Sequence, residues 1–290
     1  LLLGADGAIE EVGIHRTKLS VIRMTYEEAD AQKDSPALAP LFAIAEKNRI
    51  RRENAGAVSI DFPEVSITLK EQDGIKRVQV QPVIQTEAAA MIKEMMLLAG
   101  EAAARFAFQH SIPFQYISQE APELPNKLPS GLAGEYRKRR AMRPRSVGTI
   151  PSMHAALGLA MYGQVTSPLR RYGDLVSHRQ LLNYIDGKPL TPAADLILKI
   201  AAGDVAGRAC VSAERASRQH WTLVYLLQNP DWRGTAVVLE AMGKKAHVFI
   251  PSLGYEGDIT LDTEPELNQE LTVKLRRIRL AYLQASFEQV

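Results

Sequence analysis

The sequence predicts a mixed α/β region followed by a small all-β barrel. Three observations lead there. The first 229 residues alternate β-branched, strand-like runs with long segments of helical apolar spacing, as in a domain that layers helices and strands. From Trp232 onward the period changes, and five short apolar-rich strands separated by turn residues fill about sixty residues. Finally, 290 residues that are 46% hydrophobic and 23% charged can bury one large core or two smaller ones, which excludes a wholly disordered or collagen-like chain.

Leu1 to Leu3, the Asp6-Gly7 turn and the apolar and β-branched positions of residues 8–24 predict a hairpin. Thr25 with Glu28 three residues later is a capping-box pattern opening a short helix, and the helical spacing of residues 36–54 stops at Gly56. Strands over 65–70 and 75–80 are joined by Asp73-Gly74, a hairpin turn signal. Residues 86–109, rich in Ala, Met and Leu and apolar nearly all round, predict a helix buried against a sheet, with Gly100 its weak point. The prolines and glycines of residues 120–134 predict an irregular connector leading into a basic run. Helix is predicted near Met153, over 168–185 with Gly187 just past its end, and over 192–228. Asn229-Pro230 marks the expected boundary, dividing 1–229 from 230–290. Strands over 234–239, 246–251, 257–261, 271–278 and 282–287 then match a five-stranded barrel of the OB type, a fold that often binds single-stranded nucleic acid.

A single cysteine, Cys210, excludes an intramolecular disulfide, and no Cys/His group has zinc-site spacing, so a reducing cytoplasm is the expected compartment. The opening leucines are too few for a signal peptide, and Glu101 and Arg105 interrupt the apolar run near residues 95–98, so no membrane association is expected. The chain begins without methionine, in what reads as mid-strand, and is expected to be part of a longer polypeptide.

The net charge of +2 conceals segregation. Residues 137–179 hold nine basic side chains (Arg137, Lys138, Arg139, Arg140, Arg143, Arg145, Arg170, Arg171 and Arg179) against Asp174 alone, so this stretch is +8 and the remainder −6. Charge distributed in this way points to a polyanion, nucleic acid first; the plain alternative is a solvated basic loop.

Within that stretch, Thr166-Ser167-Pro168-Leu169-Arg170-Arg171-Tyr172-Gly173-Asp174 predicts a helix capped by Ser167 with Pro168 at its first position and both arginines in its first turn. Free N–H groups, the positive end of the helix dipole and two guanidinium groups would converge there as a phosphate site. The alternative is a capped surface helix in which Arg170 pairs with Asp174. Glu214 is either functional or one half of an exposed pair with Arg218, and Tyr26 is either a packing residue or a stacking platform. No Ser/His/Asp triad and no metal-ligand cluster is legible.

The run from Thr166 to Arg179 closely resembles the signature of the RNB-domain exoribonucleases, the group of RNase II and RNase R. The segments Arg23 to Tyr26, Met91 to Gly100, His154 to Leu159 before Tyr162, and Ala213 to Arg215, together with the terminal barrel, extend the likeness over roughly residues 7–290. The resemblance implies an α/β RNB catalytic domain lacking its N-terminal part, followed by the OB-fold domain. It implies hydrolytic, processive cleavage of single-stranded RNA from the 3′ end to nucleoside 5′-monophosphates using magnesium; the protein is expected to be a monomer. It makes Arg170, which grips the scissile phosphate, and Glu214, near the terminal nucleotide, catalytic. Tyr26, Lys93, Glu94, Thr166, Ser167, Arg171, His178 and Arg179 would contact RNA, Tyr26 at the terminal ribose.

The departures matter too. The family's magnesium-binding aspartates form an acidic cluster upstream of the matched part, none occurs in these 290 residues, and the missing half of the domain is therefore an implied partner. Lys93 stands where relatives often have the first of two acids, with Glu94 keeping the second; Ile60 lies near a base-clamping phenylalanine, and Val165 replaces an aromatic. A non-catalytic RNA-binding or regulatory member of the family is the competing reading, and a general single-stranded DNA binder the third.

Overall fold

A computed structural model describes residues 1–72 and 74–290, without the side chain of Gln72. In chain order the elements are β1 (Leu2–Leu3), β2 (Ile9–Glu11), α1 (Tyr26–Ala31), α2 (Ala39–Asn54), β3 (Val65–Gln72), β4 (Ile75–Pro82), α3 (Glu87–Gln109), β5 (Tyr116–Gln119), α4 (Gly131–Ala141), β6 (Arg145–Gly148), α5 (Tyr172–Ile185) and α6 (Ala193–Gln228). Five strands follow: β7 (Arg233–Met242), β8 (Lys245–Ile250), β9 (Tyr255–Thr260), β10 (Glu270–Arg279) and β11 (Gln284–Gln289). They fall into two compact units. The first comprises Leu1–Ser59, Gln85–Pro122 and Met142–Arg208; the second comprises Ile60–Ile84, Glu123–Ala141 and Ala209–Val290.

In the first unit β1 and β2 form the expected antiparallel hairpin, with the Asp6 carboxylate accepting from the Ala8 N–H at 2.9 Å across its turn. The strand expected to run to residue 24 stops at Glu11. Residues 12–25 form neither helix nor strand and leave Leu19, Val21 and Ile22 exposed. The capping box at Thr25 is present in both directions: Glu28 N–H donates to Thr25 Oγ1 at 3.2 Å and Thr25 N–H to Glu28 Oε2 at 2.7 Å. Asp30 of α1 in turn accepts from the Ala88 and Glu87 N–H groups (2.6 and 3.2 Å), capping α3 from outside while Thr86 caps it from within.

Helix α3 packs against α2 and α1, and also on strands as expected: Leu98 and Ala102 bury with Ile9 of β2, and Leu97 packs on the cluster of Ile117 of β5. It is also less uniformly apolar inside than its composition suggests, because Glu94 and Glu101 are both buried. Arg52 of α2 grips Glu94 with Nε (2.9 Å) and a second nitrogen, and Asn48 adds a bond at 3.0 Å. Glu101 is held by Arg51 and by Arg105. Gly100 turns from weak point into requirement: a Cβ there would lie 2.3 Å from the Tyr162 ring, and its carbonyl accepts from the Gly163 N–H at 3.2 Å. Toward the end of α3, Ala103, Phe106 and Ala107 bury against Ile112, Phe114 and Leu181.

Two four-residue strands, β5 and β6, pair antiparallel where no strand is legible in the sequence. The helix expected near Met153 is a single 3-10 turn, Ala155–Leu157. Helix α5 begins at Tyr172, four residues after the expected Pro168, and α6 matches its expectation within a residue.

The second unit holds the β3–β4 hairpin; Asp73 of the expected Asp73-Gly74 turn lies outside the described residues. The connector expected over 120–134 ends early in α4, whose first turn is tied to Asn268: its Oδ1 accepts from Ala133 N–H and its Nδ2 donates to the Ser130 carbonyl, both at 2.8 Å. All five C-terminal strands appear, in the order β11-β10-β7-β8-β9. The sheet curls into a nearly closed antiparallel barrel whose last seam is bridged by Tyr255: its hydroxyl accepts from the Ala285 N–H at 2.9 Å and donates to the Ala285 carbonyl at 3.2 Å. Val238, Val248, Ile250, Val273 and Phe287 fill it, with Leu223 and Leu226 of α6 packed into the same core. Among the described residues no helix is long and apolar enough to cross a membrane.

Candidate functional site

Residues 166–179 form a built loop rather than a capped helix start. The N–H groups of Arg170 and Arg171 both donate to the Ser167 carbonyl (3.2 and 3.0 Å), closing a turn ahead of α5. Ser167 therefore caps nothing. Its own N–H goes to Asp174 Oδ2 at 2.8 Å, and Arg171 donates to that same oxygen at 2.7 Å and to Thr166 Oγ1 at 3.3 Å. Asp174, wholly buried in the first turn of α5, thus ties the start of the loop to its end. Gly173 is required beside it, since a Cβ would lie 2.4 Å from the Gln115 side-chain oxygen. From the other flank His178 Nε2 donates to the Val165 carbonyl at 2.6 Å.

This geometry corrects the expected phosphate site at three points. The helix starts after the arginines, the amides of Ser167, Arg170 and Arg171 are already bonded, and Arg171 is held by Asp174. The anticipated pair of Arg170 with Asp174 does not form either. Arg170 is exposed beside the fully exposed Leu169, and its side chain has no hydrogen bond or ion pair among the described residues. The loop therefore presents one unpaired guanidinium on a fixed turn.

The other expected site residues are distributed. Tyr26 is half exposed at the start of α1, and Lys93 is exposed on α3. Glu94 does not accompany Lys93 outward: it is 2% exposed and both its oxygens are bound. Arg179 is exposed on α5. Glu214, in the second unit, is exposed on α6 and forms no pair with Arg218, whose guanidinium donates to the Val65 carbonyl at 2.8 Å. Asp174 and Gln115 were not recognised as site-builders from sequence. For Asp174 the signal was its position in the motif; Gln115 had none.

The +8 stretch is not a +8 surface. Lys138 pairs with Glu135, Arg140 with Glu240, Arg145 with Asp204 and Arg171 with Asp174. Arg139 makes a two-pronged bond to Glu256 (2.7 and 2.6 Å) and lies over the Phe62 ring. Burial pushes the Glu256 pKa up, but the hydrogen bond and charge of Arg139, with His247, outweigh it and hold the carboxyl below its ordinary range. Acids of the −6 remainder have folded onto the basic run.

Among the described residues no group of three or more His, Cys, Asp or Glu side chains could hold a metal ion. They offer no donor set for the magnesium ions that the resemblance implies.

The family model described as the RNB domain matches residues 6–128 and 133–187. The chain belongs to the RNB domain family. It is 36% identical over 228 residues to an uncharacterised ribonuclease of Synechocystis sp., covering 73% of this chain and 33% of that protein. To the chloroplastic/mitochondrial ribonuclease II of Arabidopsis thaliana it is 26% identical over 295 residues, covering 95% and 36%. The chain therefore spans about a third of the length of these curated relatives. The crystal structure of an active-site mutant of the Dss1 exoribonuclease from Candida glabrata shares its fold, with a TM-score of 0.78 and 20% identity over 93% of this chain and 38% of that one. The RNB chain thus has the α/β architecture and terminal barrel expected for its family.

Proposed function

We propose that this RNB chain is the C-terminal part of a hydrolytic, processive exoribonuclease that degrades single-stranded RNA from the 3′ end to nucleoside 5′-monophosphates. The 1–229 portion would be catalytic and the 230–290 barrel would bind RNA. The observation that carries the reading is the loop of residues 166–174, which leaves Arg170 unpaired and exposed while its neighbours are bonded. A guanidinium held in this way can meet a phosphodiester with two parallel donors and balance charge as it grows on the phosphoryl oxygens. Because the turn is already closed, little reorganisation opposes that contact.

Glu214 and Tyr26 are assigned supporting parts at the 3′-terminal nucleotide, and Lys93, Thr166, Ser167, Arg171, His178 and Arg179 parts in holding RNA. Arg171 and His178 serve chiefly by fixing the loop. For Glu94 the contribution is indirect, through α2. Magnesium ligands, and the partner half of the domain, are assigned to sequence outside these 290 residues.

In the complete protein, Arg170→Ala should lower kcat on single-stranded RNA by roughly 10²–10³-fold, the scale of one lost transition-state donor, while RNA binding persists. Near-normal turnover in that variant overturns the assignment. Binding without turnover in the unaltered complete protein would instead make it an RNA-binding member of the family.

A further inference from the structure

The barrel carries a cationic groove built by an irregularity in one strand. Along β10, Leu271 and Val273 point into the core and Leu275 packs against it. Strict alternation would next turn Arg277 and Arg279 inward, at a prohibitive desolvation cost. The pairing with β11 prevents this: Leu275 faces Phe287 but Arg277 faces Ser286, so the register shifts by one and Arg276 is the extra residue of a bulge. Beyond the bulge Ile278 packs on the core, and Arg277 and Arg279 are exposed.

All three arginines line one cavity of about 470 Å³, bounded opposite by Gly257 and Asp258 of β9 and by Ala285 and Ser286 of β11. This is the seam of the barrel, where the Tyr255 hydroxyl satisfies the main chain of Ala285. Among the described residues the side chains of Arg277 and Arg279 have no hydrogen bond or ion pair, and Arg276 approaches Glu288 only at 3.8 Å. The acid in the lining, Asp258, is engaged by His247 at 2.7 Å. The same unit neutralises Arg139 and Arg140 with Glu256 and Glu240, so leaving Arg277 and Arg279 unpaired beside the weakly paired Arg276 is a local imbalance that an anion would relieve. Arg277 and Arg279, two positions apart on a strand, repeat at about 6.8 Å, which suits successive charges of a polymer better than one isolated anion.

We propose that this seam groove binds the sugar–phosphate backbone of single-stranded RNA, independently of base sequence and separately from the Arg170 loop. The inference rests on the RNA-binding part of the proposed function and not on its catalytic part.

The test is binding of a labelled single-stranded oligoribonucleotide to the full chain over roughly 50–200 mM salt. R277A/R279A should weaken binding equally for different base sequences and make the slope of log K against log salt shallower by about 0.7 per arginine, the value for one phosphate contact on a single strand. R277K/R279K, which keeps both charges, should retain the slope. If the alanine pair fails to fold, as judged by circular dichroism and thermal melting, R277Q/R279Q is scored by the same slope. An unaltered slope, or a loss confined to particular base sequences, overturns the groove and leaves the Arg170 assignment standing. A chain that binds no RNA even at the lowest salt overturns the groove together with the RNA-binding role proposed for the barrel.

Discussion

Asp174 acts on the site without facing it. One oxygen accepts from the Ser167 N–H and from Arg171, and the carboxylate is fully buried, so a single atom ties together the two ends of the turn presenting Arg170. Its other oxygen, with Ser177 Oγ, Gln115 Oε1 and Arg171 Nε, is among the buried polar atoms with no partner. Asp174 is thus a positioning residue at a site where polar groups are already imperfectly satisfied. Asp174→Asn should lower kcat in the complete protein well beyond any change in KM. The same substitution placed on Arg170→Ala should add little further loss, because two changes acting through one guanidinium are not additive. An equal kcat loss in both backgrounds would show that Asp174 contributes only general stability. From the sequence the motif was legible and its local geometry was not. Ser167-Pro168 has the chemistry of a helix start, but a carboxylate seven residues on takes the serine's amide, and that competition is set by three-dimensional proximity.

Among the elements, the pairing of α2 with α3 is organised by charge inside an apolar interface. Glu94 and Arg52 are 2% and 6% exposed, and each satisfies the other. Removing one member strands the other without water, which typically costs about 3–5 kcal/mol. Glu94→Ala is therefore expected to lower the unfolding free energy by about that amount, measured by urea denaturation. A loss of RNA affinity with unchanged stability would restore to Glu94 the direct RNA contact read from the family motif. Elements specified by neighbouring residues were legible: the Thr25 capping box, the helical run of residues 86–109, and the strands of the barrel with their period of two. The strands β5 and β6 were not, because each is four residues long and its partner is distant in sequence. Residues 12–25 carry strand-forming side chains and form no strand, since propensity without a paired neighbour leaves backbone groups to solvent.

At the scale of the whole molecule, folding redistributes both charge and proton affinity. His154 is buried against Tyr162 in the first unit, with its Nδ1 unpaired; burial, aided by Arg145, lowers its pKa despite an opposing hydrogen bond with its own backbone. The folded state then resists a proton that the unfolded chain accepts near about 6.5, so the unit should lose stability as pH falls from that value toward the lower folded pKa. Thermal melting at pH 7.5 and 5.5 should show a drop that is smaller in His154→Phe, and an identical drop in the two proteins would refute the assignment. At the alkaline end burial raises Tyr116 to about 12, so its contribution is complete below the ordinary phenol value and is lost as pH climbs from there through about 12.

By itself the sequence determined the order of most elements, the barrel, the family and the loop motif, because these depend on residues close together in the chain or on periodic burial. Only the tertiary structure decided which cations are spent. It joined Arg139, Arg140 and Arg145 to acids up to 117 residues away, sealed Glu94 against Arg52, and left Arg170, Arg277 and Arg279 unpaired. Charge counts along the chain; pairing depends on distance in space. The bulge at Arg276 makes the same point, since a one-residue shift set by pairing with β11 determines whether two arginines meet the core or the solvent.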